Sequence, residues 1–519
     1  MKISSETGAI GNLAPSLMSL TLSTRFPIRS AIDSLGEHLK QLRSDIYFYA
    51  EFPYVERVFR DTYYSYFSTK KSSYIRECVR IALFDEPVRK NDFFDPESIE
   101  RLRREGNFLG FITLRPTKRK HIGRSVLSPD SFETNSFSCC ETKFSVTING
   151  IDLQVFGFPH QSQDGESMSC AEVTLWSTAE YFGHKYSEYR TVLPSDLVKI
   201  LRSRSYERQL PTKGLYGHQI SYALKKLGFG VKIYSRKGNL LDFDKIVDTY
   251  VESGIPIIAL IDTPKSGHVY LLIGHDRTMT ETDPIVKEEI ELYNGRKIVV
   301  TDSADLYKGQ KRYVTIDDNM PPYRLIDIDN PVSSYLEGGF DGKRFDTSTA
   351  EGKKKQQNCE INWLSSSING VVVPLYGKVY LDAKLARRIV ISLLKSKEIG
   401  YSCDESEIVL RLLLTSSRSF KRKFSLEKKS VHKKIILTQM PKFIWIAELS
   451  TAKLFKSKTK QAFGMIVLDA TEASSSYLDS LLFILYPDKW YYRGKDGNLI
   501  PDNVVIRPFP VYSNFKTKK

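Results

Sequence analysis

The stretch that decides the fold of this chain reads Gln163-Asp-Gly-Glu-Ser-Met-Ser-Cys170-Ala-Glu-Val-Thr-Leu-Trp176. It places Gln163 seven residues before Cys170, and the residues after the cysteine are predicted to form a helix that ends near Gly183. A cysteine at a helix N-terminus ionises more easily than one elsewhere, because the helix dipole favours negative charge at that end. The stretch therefore predicts a reactive thiol, and Cys170 is the candidate nucleophile.

A histidine and an aspartate follow far downstream, each at the end of an apolar segment. His268 precedes the run Val269–Ile273, and Asp302 follows the run Ile298–Thr301. Both runs are predicted to be strands because they are short and rich in β-branched residues. Antiparallel pairing of the two strands would bring His268 and Asp302 to the same end of a sheet.

These residue types supply what acyl transfer by a cysteine requires: a thiolate, a base that forms it, a group that orients the base, and donors for the oxyanion. Cys170 is the predicted source of sulfur, and His268 is the predicted base. Asp302 is predicted to accept a hydrogen bond from the second imidazole nitrogen. The side-chain amide of Gln163 and the backbone N–H of Cys170 are the predicted oxyanion donors.

Two of these assignments have alternatives nearby in the sequence. Asp276 and Asp305 compete with the predicted orienting acid, and Gln161 competes with the predicted oxyanion glutamine. A lone cysteine on a helix is usually a core residue, as Trp176 on the same helix is expected to be. The combination with an upstream glutamine, and with Gly-His before an apolar strand, favours catalysis instead.

The segments that carry this pattern resemble the papain-like cysteine peptidases: Gln163, Cys170-Ala171, Leu175-Trp176, Gly267-His268-Val269, Ile273-Gly274 and Val299 to Asp302. The resemblance is closest to the bacterial branch that processes double-glycine leader peptides, and to uncharacterised bacterial relatives. It covers about residues 155–310. It implies a papain-like domain with Cys170 as nucleophile, His268 as base, Asp302 as orienting acid and Gln163 as oxyanion donor.

The sequence departs from the family pattern at two positions. Ala171 stands where glycine commonly follows the cysteine, and Ser303 stands where proline commonly follows the acid. Neither change removes a reacting group, so the catalytic assignment stands. Both bear on the strand register and on the identity of the substrate.

The composition is that of folded domains rather than of a disordered chain. The chain has 519 residues, of which 41% are apolar and 12% aromatic, and this length predicts about two to four domains. The longest apolar run, Ile255–Ile261, is too short to span a membrane, and Met1–Glu6 lacks the apolar core of a signal peptide. We therefore expect a cytoplasmic protein without a membrane span.

The six cysteines are scattered along the chain, at Cys78, Cys139, Cys140, Cys170, Cys359 and Cys403. No Cys-x-x-Cys motif occurs, and no histidine stands at the spacing of a zinc ligand. Neither a structural metal site nor a disulfide framework is expected. The sequence predicts no metal and no cofactor.

The positive charge is concentrated in the last third of the chain. The whole chain carries a net charge of +15; Ile361–Lys519 has 27 lysines and arginines against 13 acids, a net charge of +14. Arg418–Lys434 interleaves cations with Phe420 and Phe424, and Lys453–Lys460 forms a second basic cluster. Cations contact phosphates and aromatic rings stack on bases. These clusters predict a nucleic acid or acidic protein partner, or else a solvated basic surface.

The chain is expected to belong to the α+β class, with a papain-like catalytic domain at its centre. The predicted parts are an N-terminal mixed helix and strand region at 1–145, the catalytic domain at 146–327, a linker or exposed loop at 328–360, and a basic α+β domain at 361–519. Asn149-Gly150 predicts a hairpin turn. In the basic domain, Lys433–Thr438 is predicted to be a strand and Tyr477–Leu485 a helix.

The expected activity is that of a cysteine peptidase acting on a protein or peptide substrate. It would cleave a peptide or isopeptide bond through an acyl-thioester intermediate. A transglutaminase, deamidase or acyltransferase could use the same Cys-His-Asp site. A non-catalytic protein that binds an anionic partner through its C-terminal domain is the second alternative.

Overall fold

A computed structural model describes most of the chain, over residues 3–72, 74–134, 136–204, 208–240, 242–263, 267–276, 286–307, 312–332, 348–401, 403–473, 478–494 and 498–515. Helices and strands both occur throughout these ranges, which confirms the α+β class. No helix within them is both long and apolar enough to cross a membrane.

The α-helices in these ranges are α1 Leu13–Leu20, α2 Ile28–Leu39, α3 Arg57–Ser65, α4 Pro96–Arg103, α5 Cys170–Lys185, α6 Pro194–Arg202, α7 Gly217–Lys226, α8 Phe243–Glu252, α9 Ala350–Leu364, α10 Ala383–Lys395, α11 Ser417–Lys423, α12 Lys429–Leu437 and α13 Ala452–Phe455.

The strands are β1 Ser4–Ala9, β2 Tyr47–Tyr54, β3 Cys78–Phe84, β4 Phe108–Leu114, β5 Ser125–Leu127, β6 Phe137–Cys139, β7 Thr142–Ile148, β8 Ile151–His160, β9 Gly230–Ser235, β10 Ile257–Asp262, β11 Gly267–Asp276, β12 Glu288–Glu291, β13 Lys297–Asp302, β14 Arg312–Ile316, β15 Arg324–Asp327, β16 Ser367–Leu375, β17 Glu407–Ser416, β18 Phe443–Ser450, β19 Gln461–Ala462, β20 Gly464–Asp469, β21 Leu481–Leu485, β22 Lys489–Arg493, β23 Leu499–Asn503 and β24 Phe509–Pro510.

The chain divides into two compact units, each assembled from three separate segments. The first unit comprises 1–228, 258–277 and 313–372, and the second comprises 229–257, 278–312 and 373–519. The sequence predicted consecutive domains instead, with the N-terminal region separate from the catalytic domain. The predicted linker at 328–360 is described only in part, because 333–347 lies outside the described residues; its last part belongs to helix α9.

The first unit contains a seven-stranded antiparallel sheet in the order β1-β2-β3-β4-β5-β8-β7. Strands β7 and β8 form a hairpin whose turn residues Asn149 and Gly150 have φ angles of 47° and 81°, as the sequence predicts. Alternation along both strands buries one face, which includes Phe144 and Leu153. The sheet thus rests on apolar side chains that recur at every second position.

A second sheet of the first unit carries the strands that matter for the site, in the order β15-β14-β11-β10-β16. Strands β11 and β14 pair antiparallel, with Leu271 opposite Ile316 and Leu272 opposite Thr315. Helix α5 packs on β11 and on the β7–β8 hairpin. The helix is buried from Ala171 to Phe182, and its buried side chains include the charged Glu172 and Glu180 beside the apolar residues.

The second unit is built on an eight-stranded sheet in the order β12-β13-β17-β18-β20-β21-β22-β23. Strands β13 and β17 are parallel, with Asp302 opposite Leu410, and the other pairs are antiparallel. The buried guanidinium of Arg411 lies 2.8 Å from both Glu252 and Glu448. Each charge of this interior network therefore has a partner, as burial requires.

Two secondary-structure predictions for the second unit are wrong. Lys433–Thr438 belongs mostly to helix α12, whose Val431 and Ile435 lie four residues apart and are both buried in the core. The end of Tyr477–Leu485 is strand β21 rather than a helix, because it pairs with β20 and β22. Residues 474–477 lie outside the described residues.

Candidate active site

Cys170 is the first residue of helix α5, and the residue before it caps the helix. Ser169 and Glu172 form a capping box, in which the Ser169 N–H donates to Glu172 Oε2 at 3.1 Å. Thr212 Oγ1 donates to the other oxygen of Glu172 at 2.8 Å. Cys170 is half-buried, whereas the residues that follow it are buried. The cap therefore holds the start of the helix with its thiol at the surface of the unit.

The loop that leads into Cys170 is held by a buried carboxylate. Asp164 Oδ1 accepts hydrogen bonds from the N–H groups of Glu166, Ser167 and Met168 at 2.8, 2.6 and 3.0 Å. Below the loop, the buried Arg115 donates to the Ser162 carbonyl at 2.9 Å. These bonds satisfy backbone groups that would otherwise lose their hydrogen bonds on burial, so the loop has one defined shape.

His268 and Asp317 meet at one end of the second sheet. His268 lies near the start of β11, and Asp317 follows the end of β14, so antiparallel pairing of the two strands brings them together. His268 Nε2 lies 3.1 Å from Asp317 Oδ1, and both side chains are more than 90% buried. The Cys170 thiol lies close enough to His268 to raise the pKa of the imidazole. With Nε2 engaged by Asp317, Nδ1 is the nitrogen left for the thiol.

The environment of His268 favours the protonated imidazole. Burial alone would lower the pKa of His268, but the charge of Asp317, its hydrogen bond to the ring and the contact with Cys170 raise that pKa well above its ordinary value. Asp318 adds a smaller contribution in the same direction. The histidine is therefore placed to take a proton from the thiol and to keep it while the sulfur reacts.

The sequence prediction that Asp302 orients His268 is wrong. Asp302 belongs to β13 of the second unit, where Arg387 Nε and Nη2 donate to its carboxylate at 2.9 and 2.8 Å. Lys245 lies 3.1 Å from the same carboxylate. The physical reason is strand pairing, since β13 pairs with β12 and β17, and β14 is the strand beside β11.

Neither alternative acid lies at the histidine either. Asp305 forms an ion pair with Lys245 at 3.0 Å in the second unit. Asp276 ends the same strand that His268 begins, and Ser136 Oγ lies 3.5 Å from it. Asp317 was missed, although its signal was present in the sequence. It follows the strand Arg312–Ile316, and Asp302 likewise stands at the end of its own strand.

The two candidate glutamines differ in exposure and in contacts. Gln163 is half-buried, and its Nε2 donates to Asn319 Oδ1 at 2.9 Å. The Asn319 N–H in turn donates to Asp317 Oδ1 at 3.0 Å, so Gln163 is tied to the segment that holds the acid. Gln161 is fully buried, and its Nε2 donates to Met168 Sδ at 3.3 Å. Gln163 as the oxyanion donor, with Gln161 as its alternative, therefore stays a prediction.

The chain has no match among family models, and no match was found among curated proteins. The resemblance to papain-like peptidases therefore rests on the residues alone. Chemically, the first unit combines a helix-capped cysteine, a histidine beside it and a carboxylate on the far ring nitrogen. This is the set of groups that a thiol acyl-transfer reaction needs.

The basic stretch of the second unit is a less favourable nucleic-acid surface than the sequence suggests. Phe420 and Phe424 are buried and stack on each other with ring centroids 4.8 Å apart, so they cannot stack on bases. Lys421 and Lys423 donate to backbone carbonyls at 2.6 and 3.0 Å. Among the exposed cations of this stretch are Arg418, Arg422, Lys428, Lys429 and Lys433.

Proposed function

We propose that this chain is a papain-like cysteine peptidase that cleaves a peptide or isopeptide bond through an acyl-thioester intermediate. The observation that carries the proposal is the contact of Cys170, at the start of helix α5, with His268, whose Nε2 lies 3.1 Å from Asp317. Nucleophile, base and orienting acid thus come from three separate segments of one compact unit. The packing of helix α5 against an antiparallel sheet supports the papain-like architecture.

In the proposed reaction, the thiol proton passes to His268 Nδ1 and the thiolate attacks the carbonyl carbon of the substrate. The oxyanion that forms accepts hydrogen bonds from the Cys170 N–H and from Gln163 Nε2. That amide carries two hydrogens, of which one is donated to Asn319, so the second remains for the oxyanion. The leaving amine takes its proton from His268. Water then attacks the thioester, with the neutral imidazole as base.

Two other uses of the site follow from the same groups. If an amine replaces water in the second step, the enzyme is a transglutaminase or acyltransferase, and if the first step releases ammonia from a side-chain amide, it is a deamidase. Mass analysis of products formed with and without an added primary amine separates these reactions. A non-catalytic binding protein would form none of the products and would leave Cys170 without special reactivity.

Limited alkylation tests the proposal directly. At neutral pH, iodoacetamide is expected to modify Cys170 at least 10-fold faster than the buried thiols. Burial raises the pKa of Cys140 to about 11 and of Cys403 to about 12, and it raises the pKa of Cys78 well above its ordinary value. Peptide mapping after partial reaction identifies the modified residue. Modification of Cys403 or Cys78 before Cys170 would contradict the proposal.

The cytoplasmic location and the anionic partner remain predictions. For the partner, the exposed cations support contacts to phosphate or carboxylate groups, and the buried phenylalanines remove the predicted base stacking. Reversing Arg422 and Lys429 to glutamate is expected to weaken binding of a labelled single-stranded oligonucleotide and to lower the salt slope by about two. Lys71→Glu with Arg119→Glu makes the same change of charge on exposed residues of the first unit. Equal loss in both pairs would show that only net charge matters.

A further inference from the structure

A second buried carboxylate lies beside His268 and Asp317 and has no part in the proposed mechanism. Asp318 is 3% exposed, and among the described residues neither of its carboxylate oxygens has a hydrogen-bond partner. Lys120, which is close enough to influence its charge, donates to Asn319 Oδ1 at 3.2 Å instead. Protonated His268 is the main charge that favours ionised Asp318, but burying a carboxylate that accepts no hydrogen bond still costs several kcal/mol. A cation bound at this point would remove that cost.

The three side chains have the spacing of a small metal site. Ligand atoms of His268, Asp317 and Asp318 all lie within 4.8 Å of one another, and His268 Nε2 lies 3.1 Å from Asp317 Oδ1. Two ligands of a tetrahedral zinc ion stand about 3.4 Å apart, given bonds of about 2.0–2.2 Å. The observed separation is close to that value. The His268–Asp317 pair therefore already has this spacing, and the Asp318 oxygen has to approach from at most 4.8 Å for an ion to bind all three.

The donor set selects the kind of cation. One imidazole nitrogen and two carboxylates suit Zn²⁺, whereas Mg²⁺ and Ca²⁺ prefer oxygen ligands only. The two carboxylates offset the charge of a divalent ion, and three protein ligands leave a fourth position for water. We propose that His268, Asp317 and Asp318 form a Zn²⁺ site, and that its occupation switches off the thiol of Cys170.

His268 cannot bind zinc and act as the base for Cys170 at the same time. A metal at Nε2 uses the lone pair there, displaces the proton of that nitrogen to solvent and separates the ring from Asp317. The neutral ring then carries its hydrogen on Nδ1, the nitrogen left for the thiol, and can no longer accept the thiol proton. The inhibition, though not the binding of zinc, rests on the function proposed above for Cys170.

Zinc binding is measured first, on the full-length chain, by competition with a chromophoric chelator. The wild type and Cys170→Ser are expected to bind one Zn²⁺ with the same affinity, because the thiol is not a ligand. Asp318→Asn and His268→Gln are expected to bind at least 10-fold more weakly. Asp276→Asn, a buried aspartate on the same strand as His268, is expected to bind like the wild type. If Cys170→Ser no longer bound zinc while Asp318→Asn bound it like the wild type, the proposed site would be wrong.

Inhibition is measured next, as the rate of Cys170 alkylation with and without Zn²⁺, each variant compared with its own metal-free rate. Zinc is expected to slow the reaction at least 10-fold in the wild type and in Asp276→Asn, and less than 2-fold in Asp318→Asn. Equal slowing in Asp318→Asn would overturn the switch. The chelator titration detects the metal site even if the chain cleaves no substrate. Failure of the proposed peptidase activity can therefore be told apart from failure of the zinc site.

Discussion

Replacing Cys170 with alanine is expected to reduce turnover of a peptide ester to the uncatalysed background, a loss of about 10⁶-fold when the nucleophile of such a unit is removed. The reason is that His268 and Asp317 act only through the sulfur, so nothing is left for them to activate. The midpoint of thermal unfolding should change little, because Cys170 is half-buried and caps no group of the helix. Steady-state kinetics and a thermal melt on the same preparation provide the measurement.

Cys403→Ala is the matched control for this substitution. Cys403 is a free, buried thiol of the second unit, and its removal is expected to leave turnover of the ester unchanged. Replacement of Cys403 also shows whether loss of any thiol lowers the activity through misfolding. Residual turnover in Cys170→Ala above a hundredth of the wild-type rate would assign the reaction to another group.

The sequence identified the parts of the site that local patterns encode. A helix that starts at Cys170 is a local property, and so is a histidine near the start of an apolar strand; the structure brings Cys170 and His268 together. The hairpin at Asn149-Gly150 was predictable for the same reason, because positive φ angles at both residues follow from their chemistry. These features do not depend on which distant strands pair.

The acid could not be identified in that way. Asp302 is the last residue of a short strand and Asp317 directly follows one, and each is preceded by β-branched residues. Only the pairing of β11 with β14 selects between them, and pairing between distant strands leaves no periodic signal in either strand. The same limit applies to the two compact units, whose segments alternate along the chain. Changes of composition and charge along the sequence can mark only boundaries between consecutive segments. They therefore predict consecutive domains and cannot reveal units built from alternating segments.

The basic stretch shows how a charge pattern conceals packing. Alternating cations and phenylalanines were interpreted as a binding surface, but Phe420 and Phe424 are core residues of the second unit. Helix α12 was mistaken for a strand because its second half is rich in isoleucine, although the burial of Val431 and Ile435 follows helical spacing. In both cases the buried positions, rather than the residue types alone, distinguish the alternatives.

Substitutions of Asp317 and of Asp302 are expected to have opposite effects on turnover and stability. Comparing the two sets of variants decides which acid orients His268. Asp317→Ala is expected to lower turnover by about 10³–10⁴-fold, because the ring of His268 loses the acceptor that fixes its orientation and tautomer. Asp317→Asn is expected to cost less, since its amide oxygen can still accept from Nε2–H. Asp302→Asn is expected to leave turnover unchanged and to lower the free energy of unfolding by about 1–3 kcal/mol, because it weakens the ion pairs with Arg387 and Lys245.

The kinetic and stability measurements together distinguish a catalytic effect from a structural one. The ester turnover and the denaturant midpoint are measured for all three variants, so that a loss of rate can be compared with a loss of folded protein. A fall in turnover for Asp302→Asn, with Asp317→Ala unaffected, would restore the acid that the sequence predicted. Graded loss across Asp317→Asn and Asp317→Ala at unchanged stability supports an acceptor at His268, because alanine removes the acceptor of Nε2 and of the Asn319 N–H, whereas the asparagine oxygen can still serve both.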